Sequence, residues 1–446
     1  MTHILVTTLS FDPDRGGGGV RLAYDLATGL AQRGHQVSVV CEDLHDHGIE
    51  CEIIEGVTVL RYRLPPARGV AFRRHEQHIA AAMGVMKGYL PDPPQVVHGH
   101  SLFQYAAALR LYKGRSRFCY TIHSPFVDEL RITWGAQGAA GKFKTLLGIS
   151  TIRRLELEIL GESAALVAES EYTRSLIGRH YGDALADRIQ VIPGWVDLER
   201  FTPISVDRVE QAREGLGWPT DRPVFFVLRR LEARMGLDNL LQALALVRQR
   251  GYQFQTVIGG SGSQLGRLTN LCNALGLENQ VTFMGFVPGE QLALAYGACD
   301  ASIVPTAELE CFGIIALEAL ACGRPVLVTP VGALPEVMQH FEPQWIARGH
   351  APEDIADLLC AYLAGDLPVH TAETLRKTIA ERYAFPRAQD AYERILLGNQ
   401  QVDGTLSTPQ SVDHENVVTT SVVRLKSDYT CPGGRCQGSR YRKGFL

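Results

Sequence analysis

Residues 301–318 read Ala301-Ser-Ile-Val-Pro-Thr-Ala-Glu-Leu-Glu-Cys-Phe-Gly-Ile-Ile-Ala-Leu-Glu318. Ala301–Val304 is a short apolar run of the kind buried in a parallel sheet. After a turn that carries Glu310 and Gly313, a nearly all-apolar helix runs to about Ala321. A parallel sheet delivers the carboxyl ends of its strands, and therefore such turns, to a ligand crevice. The free amides of Gly313 and Ile314 at the helix start can donate to phosphate oxygens. Glu310 and Glu318 are suited to gripping hydroxyl groups, such as those of a ribose and a sugar. The plainer alternative makes Glu310 a charge favoured by the helix dipole and Glu318 a solvated residue. Glu318 lies between Leu317 and Ala319-Leu320-Ala321, a poor setting for a solvated face. A carboxylate buried there needs partners.

The same rhythm extends to both sides. Val224–Leu228, Phe254–Ile258 and Val281–Phe286 precede this strand, and Pro325–Val328 and Gln344–Ala347 follow it. Nearer the amino end, His3–Leu9, Gln36–Cys41, Val57–Leu64, Gln95–His98, Arg117–Ile122, Ala165–Ala168 and Ile189–Ile192 read as buried strands separated by polar or helical stretches. Val20–Arg33 places Leu22, Leu26 and Leu30 at helical spacing, and Gly34 closes that helix. The rhythm lapses over the polar stretch Asp197–Arg222. The economical fold is therefore α/β, with two doubly wound domains at 1–196 and 223–383 and a linker at 197–222. A single sheet of about a dozen strands would be unusually large. A helical stretch runs from after Thr371 to about Leu397, and Pro386 is expected to break it. From residue 399 to 446 the chain is polar without a sustained period, and a flexible tail is expected.

The chain has 446 residues, which at about 150 per domain means two or three domains. It is 46% hydrophobic and 21% charged with a net charge of −4, so nothing in its overall charge suggests nucleic-acid binding. No run approaches the roughly 18 apolar residues of a membrane span. Met1–Phe11 has no basic segment ahead of its apolar stretch, so no secretion signal is expected. Cys41, Cys119, Cys299, Cys311, Cys322 and Cys360 sit in apolar contexts and read as small core residues in a reducing cytoplasm. Cys431 and Cys436 are the one close pair, and with only His414 nearby a zinc site in the tail lacks a fourth ligand. Arg435, Arg440, Arg442 and Lys443 read as a solubilising run.

Three further groups carry chemistry. Arg15-Gly16-Gly17-Gly18-Gly19-Val20 joins the first strand to the first helix, and its glycines allow backbone amides to approach an anion, phosphate being the expected guest. The NAD fingerprint is absent there, since Arg21 and Leu22 stand where its last glycine is required. Arg229-Arg230-Leu231-Glu232-Ala233-Arg234-Met235-Gly236 puts three guanidinium groups at the end of another strand, where they can neutralise a diphosphate. His98, His100 and His123 cluster at strand ends of the first domain. Zinc is conceivable, but no carboxylate or thiol adjoins them in sequence, and a hydrogen bond from His123 to a substrate hydroxyl is the better expectation. His100 is a candidate on the acceptor side, and His98 reads as structural.

This ordered series resembles the family-4 glycosyltransferases, retaining GT-B enzymes that use nucleotide sugars. The resemblance covers roughly residues 1–395. It rests on the glycine turn with Leu30–Val37, on Thr121-Ile-His123, Ser170–Arg174 and Val191–Asp197, and on Arg230-Leu231 with Gly236. Gly260-Ser-Gly262, the Glu310–Glu318 run, Ala321–Pro325 and Val331–Glu336 complete it. It implies two Rossmann-like domains facing across a cleft, the first on the acceptor side and the second binding the nucleotide sugar. Residues 384–398 would then form a helix crossing back to the first domain. By the same resemblance Arg230 contacts the donor diphosphate, Glu318 the ribose and Glu310 the sugar hydroxyls. His123 sits beside the sugar, and Gly18 and Gly19 approach its phosphate. The family carries Lys where this chain has Met235, and Arg234 is expected to substitute for it. Trp195 stands where the family usually has a small residue, and it is expected to pack at the interdomain hinge.

The expected reaction is retaining transfer of a sugar from a nucleoside-diphosphate sugar to an acceptor hydroxyl, in cell-surface polysaccharide or glycolipid synthesis. His123, Glu310 and Arg230 would be catalytic, with Gly18, Gly19, Arg230, Arg234, Gly313 and Ile314 on the diphosphate. No acidic pair of the DxD type is read as a metal site before the Glu310–Glu318 turn, so metal independence is expected, with no cofactor beyond the nucleotide-sugar substrate. The alternatives are a sugar-nucleotide epimerase on the same fold and a catalytically inactive nucleotide-sugar-binding protein. Arg131, Lys142, Lys144, Arg153 and Arg154, interleaved with Trp134, Phe143, Leu146 and Leu147, form a candidate face for an anionic inner membrane and a carbohydrate or lipid-linked acceptor. An ordinary amphipathic surface helix explains the same spacing. A cytoplasmic location follows, peripheral to the membrane if that face binds it.

Overall fold

The computed structural model describes residues 1–44, 46–64, 74–135 and 138–398, with only the backbone described over 134–147. The expected flexible tail, Cys431, Cys436, His414 and the terminal basic run all lie outside the described residues, as do the side chains of Trp134, Lys142, Phe143, Lys144, Leu146 and Leu147.

The first domain opens with β1 (His3–Thr7), α1 (Gly18–Gln32), β2 (Gln36–Glu42), β3 (Cys51–Ile54) and β4 (Val57–Tyr62). It continues with α2 (Arg74–Tyr89), β5 (Val96–Gly99), α3 (Leu102–Tyr112) and β6 (Arg117–Ile122). Then come α4 (Phe126–Gly135), α5 (Gly138–Glu162), β7 (Ala165–Ala168), α6 (Glu171–Tyr181), α7 (Asp183–Ala186) and β8 (Ile189–Val191). These strands form one eight-stranded sheet in the order β3-β4-β2-β1-β5-β6-β7-β8, parallel except for β3. Alternation along β1 sends Leu5 to one face and Ile4 and Val6 to the other. The first face packs on α2, α3 and α5, and the second on α1.

The second domain runs α8 (Val206–Leu216), β9 (Val224–Leu228), α9 (Leu237–Gln249), β10 (Gln255–Gly259) and α10 (Leu265–Ala274). It continues with β11 (Val281–Gly285), α11 (Gly289–Ala298), β12 (Ala301–Val304), α12 (Ile314–Ala321) and β13 (Val326–Val328). Helices α13 (Leu334–Met338), α14 (Pro352–Ala364) and α15 (Ala372–Arg382) follow, and α16 (Phe385–Leu397) closes the described chain. The second sheet is fully parallel, β11-β10-β9-β12-β13. Strand β9 sits at its centre, so the loops after β9 and β12 are neighbours.

Helix α16 belongs to the first sheet. Its face of Ala388, Ala391, Tyr392, Ile395 and Leu396, at helical spacing, joins the buried cluster that contains Leu22, Leu26 and Leu30 of α1. Each buried Leu or Ile there contributes about 1.5–3 kcal/mol. The two chain crossings touch: Val196 pairs with Ala384 and donates to the Tyr383 carbonyl at 3.1 Å. Trp195 is buried against Phe385 and Tyr392, with ring centroids 5.4 and 5.8 Å away, and donates from Nε1 to Asp25 at 3.1 Å. It avoids the left-handed backbone, which among non-glycine described residues only Asp46, Glu55 and Leu309 adopt.

Two local readings are corrected and one strand is added. The stretch 197–222 contains α8, whose Arg213 is buried and donates to the Ala298 carbonyl at 2.8 Å and to Asp300 at 2.7 Å, so this segment is part of the second domain. Residues 344–347 form no strand; Pro343–Trp345 is a 3-10 turn, and Ile346 makes a single bridge to Val328. The helical stretch is interrupted as expected, between Arg382 and Phe385, and Pro386 lies in the first turn of the second helix, where no amide donor is needed. The short edge strand β3 escaped notice in the sequence.

Candidate active site

The carboxyl ends of β1 and β6 in the first domain meet those of β9 and β12 in the second. The link from β1 ends at Gly17, which caps α1 in a left-handed backbone. Helix α1 therefore starts at Gly18, where a Cβ would come within 3.1 Å of the Ile314 side chain. At Gly19 a Cβ would come within 3.1 Å of the His123 ring. The glycines let the start of α1 lie against His123 of its own domain and against the start of α12 across the cleft.

On the opposite wall, the turn after β12 passes through Leu309 at φ 55° and Gly313 at φ 95°. Gly313 caps α12, and Ile314 and Ile315 follow with amides that have no carbonyl a turn earlier to bond. The positive ends of α1 and α12 thus converge. The Glu310 carboxylate is held through Oε2 by Arg229 and by the Thr306 hydroxyl, the latter at 2.9 Å. Burial pushes Glu310 up, but Arg229 and Thr306 outweigh it and hold the carboxyl below its usual range. The turn after β9 bends at Gly236, where a Cβ would overlap the Pro305 carbonyl, so this loop lies directly on the neighbouring one. Arg234 donates to the Leu309 carbonyl at 2.6 Å and comes within 4.0 Å of Glu129. Met235, at the family's lysine position, is buried. Among the described residues the Arg230 side chain makes no hydrogen bond or ion pair, and the residue stays exposed. Partial burial, with Arg234 and Arg229 nearby, disfavours its charge. A guanidinium without a side-chain partner, crowded by two others, is a seat for an anion.

Glu318 projects from the second turn of α12. The buried Tyr296 hydroxyl donates to one of its oxygens at 3.0 Å, leaving the other for a ligand. Burial raises its pKa, opposed by Tyr296, Arg200 and Arg21. Arg21 pairs with Asp25 at 2.9 Å, which places a first-domain charge opposite this carboxylate.

The three histidines form a string instead of converging on a point. His123 Nδ1 lies 2.6 Å from Glu169 and its Nε2 lies 2.9 Å from His100 Nδ1. His100 Nε2 lies 3.3 Å from His98 Nδ1, and His98 Nε2 lies 2.9 Å from the Thr121 hydroxyl, which reaches Tyr392 of α16 at 3.4 Å. Burial holds His100 well below the usual histidine value and His98 down to about 3, so both are neutral. A carboxylate only accepts, so Glu169 fixes the proton of His123 on Nδ1 and sets the direction of the string. Both nitrogens of His123 are engaged, so a bond to a substrate hydroxyl requires one partner to yield. His100 is buried behind it and reaches the cleft only through His123. Among the described residues no group of three or more His, Cys, Asp or Glu side chains is placed to hold a metal ion.

Glu169 was missed in the sequence, although it follows the apolar run Ala165–Ala168 at a strand's carboxyl end. Glu169→Gln should lower turnover about tenfold by weakening a charge-assisted hydrogen bond. Nitrogen-15 spectra of the His123 ring check the cause: the proton should leave Nδ1 in a fraction of molecules.

Of the residues expected at the site, Gly18, Gly19, His123, Arg230, Arg234, Glu310, Gly313 and Ile314 come together, with Glu318 a turn deeper. Residues 16–200 match the model of "Glycosyltransferase Family 4" and residues 208–382 that of "Glycosyl transferases group 1". An uncharacterized glycosyltransferase of Methanocaldococcus jannaschii is 28% identical over 342 residues, covering 76% of this chain and 83% of the relative. A GDP-mannose-dependent alpha-(1-6)-phosphatidylinositol monomannoside mannosyltransferase of Mycobacterium tuberculosis is 32% identical over 220 residues, 48% of this chain and 56% of the relative. This chain therefore spans little more than half of that mannosyltransferase's length. The solved structure of sucrose-phosphate synthase from Thermosynechococcus elongatus superposes with a TM-score of 0.74 at 20% identity, covering 90% of this chain and 99% of that one, and shares its fold.

Proposed function

The chain belongs to the family-4 glycosyltransferases, and from that premise we propose that it moves a sugar from a nucleoside-diphosphate sugar to an acceptor hydroxyl with retention of anomeric configuration. One observation carries the reading: the amino ends of α1 and α12 converge across the cleft, and on the second domain's side Arg230, whose side chain has no hydrogen-bond or ion-pair partner among the described residues, lies near Arg229 and Arg234, which hold the loop that carries Glu310. Departure of the diphosphate is the hard step, because negative charge develops on the leaving oxygen. Fixed amides and a free guanidinium aimed at that charge stabilise the transition state without reorganising. Glu318, with one oxygen open, accepts from the ribose. Glu310 spends Oε2 on Arg229 and Thr306, so Oε1 is left to accept from a sugar hydroxyl. Arg234 reaches the same cluster from the residue before Met235 and supplies the charge that the family's lysine would bring. Arg234→Ala should therefore cost about tenfold in kcat/KM, the worth of one hydrogen bond to a charged group.

The acceptor side is the first domain. The phosphatidylinositol-linked substrate in the mannosyltransferase's name favours a glycolipid or cell-surface polysaccharide acceptor. Among the described residues no helix is long and apolar enough to cross a membrane, so a lipid-linked acceptor would be met at a surface. The inner face of the cell membrane is the place proposed for it. Arg154 is exposed on α5 and available for such contact, whereas Arg153 is committed to the His180 carbonyl and Arg131 to Asp128.

The test is a panel of UDP- and GDP-sugars, each with and without lipid-linked and oligosaccharide acceptors, with product anomers read by proton NMR. An α-linked product from an α-linked donor is expected. A changed sugar without acceptor would make the protein an epimerase, and binding of nucleotide without turnover on any acceptor would make it an inert binder. Inversion at the anomeric carbon would overturn retention.

A further inference from the structure

Two segments of the family resemblance, Ser170–Arg174 and Val331–Glu336, take no part in holding the diphosphate, yet they meet across the cleft. Ser170 caps α6, and its hydroxyl donates to the Cys311 carbonyl in the second domain at 2.6 Å. The Thr173 hydroxyl reaches the same carbonyl at 3.3 Å. Glu336 of α13 answers from the other side: its two carboxylate oxygens accept the backbone amides of Glu171 and Tyr172 at 3.0 and 3.3 Å. A carboxylate on the positive end of a helix is a favourable pairing, strengthened by the charge on the acceptor. Beside these bonds, Leu309 and Cys311 pack on Leu176 of α6 in a small apolar cluster of their own, with Ile132 and Tyr172 at its edge.

Glu310 lies between the two residues so held. Its own domain fixes the side chain through Arg229 and Thr306 and the Leu309 carbonyl through Arg234, while the opposite domain grips the Cys311 carbonyl on one flank and packs Leu176 against the Leu309 side chain on the other. Ser170 and Thr173 are fully buried. If the domains parted, the Cys311 carbonyl would lose both hydroxyls and the apolar cluster would open to water. We infer that the amino end of α6 is a clamp on the sugar-binding loop, with Ser170 and Glu336 as positioning residues that let Glu310 take its aim only when the two domains are closed. This rests on the glycosyltransferase reading for its catalytic consequence, but not for the clamp itself. Donor bound to the second domain alone would meet a slack Glu310 loop and be spared hydrolysis until closure.

The experiment uses the full chain with Ser170→Ala and, as the variant that keeps an oxygen acceptor, Glu336→Gln. Calorimetry with UDP and GDP should show affinity falling by no more than about twofold, because Glu318, Arg230 and the amino end of α12, all on the second domain, supply most of the nucleotide's contacts and α1 adds only its amides to the diphosphate. Turnover should fall about tenfold in each variant, the effect of one lost hydrogen bond. Amide exchange at Glu171 and Tyr172 should quicken about tenfold in Glu336→Gln by the same measure. Unaltered turnover in both variants, or nucleotide affinity falling as far as turnover, overturns the clamp as a positioning device. If the unaltered chain transfers no sugar while Glu171 and Tyr172 are protected and the variants release them, the clamp stands and the glycosyltransferase reading falls.

Discussion

Arg230→Ala is expected to lower kcat/KM for the nucleotide sugar by roughly a hundredfold, the cost of about 3 kcal/mol for one lost partner of a leaving-group charge. The same variant should fold as well as the parent. The Arg230 side chain bonds to nothing among the described residues, and removing it relieves the repulsion from Arg234 and Arg229. Steady-state kinetics beside a thermal melt check both halves of this expectation. Arg230→Lys should restore only part of the rate, since an ammonium cannot make the forked contact of a guanidinium. A variant with full activity would place the diphosphate elsewhere and remove the main support for the mechanism.

The neighbouring residue should behave in the opposite way. Arg229→Ala is expected to destabilise the protein by about 3 kcal/mol and to abolish turnover, because it leaves the Glu310 carboxylate and Thr306 buried without their cation. The pH dependence follows from the direction of the shift. In the unaltered chain Glu310 is held below its usual range, so its pairing adds stability above the unfolded value and loses it as pH falls through the folded one. Without Arg229 burial dominates and the carboxyl rises, so its ionisation costs stability as pH climbs. The gap between parent and variant should therefore be small in acid and widen towards neutral pH. Denaturant unfolding at several pH values measures it. The double change Arg229→Met with Glu310→Gln should recover most of the stability and none of the activity, which separates the pair's support of the fold from its part in catalysis.

The sequence made legible what is local. Buried parallel strands advertise themselves as Val- and Ile-rich runs, and the turn after each is a nearby reading, which is why Arg230, Glu310, Gly313 and Glu318 could be named. The fold is two facing Rossmann-like domains, as expected. Legibility failed where burial is one-sided or absent. Strand β3 is an edge strand with Ile53 76% exposed, and in α8 Val206 is 87% exposed, leaving little apolar period to see. It failed again wherever the partner is distant along the chain. The Arg229–Glu310 pair spans 81 positions and the His123–Glu169 pair 46, and neither spacing carries a signal in one sequence. A single chain shows which groups stand at the cleft, but not which of them are already spoken for.

Helix α16 follows the second sheet in sequence and roofs the first in space. Cutting the chain at Tyr383 would therefore injure the half of the molecule farthest from the cut. Leu22, Leu26 and Leu30 would lose their cover and Trp195 its two aromatic neighbours. A fragment ending at residue 196 should be sticky and poorly folded by itself, and should be rescued when a peptide spanning 385–397 is supplied in trans. The two halves are sutured, and attempts to swap one of them between relatives must carry this helix with the amino-terminal half.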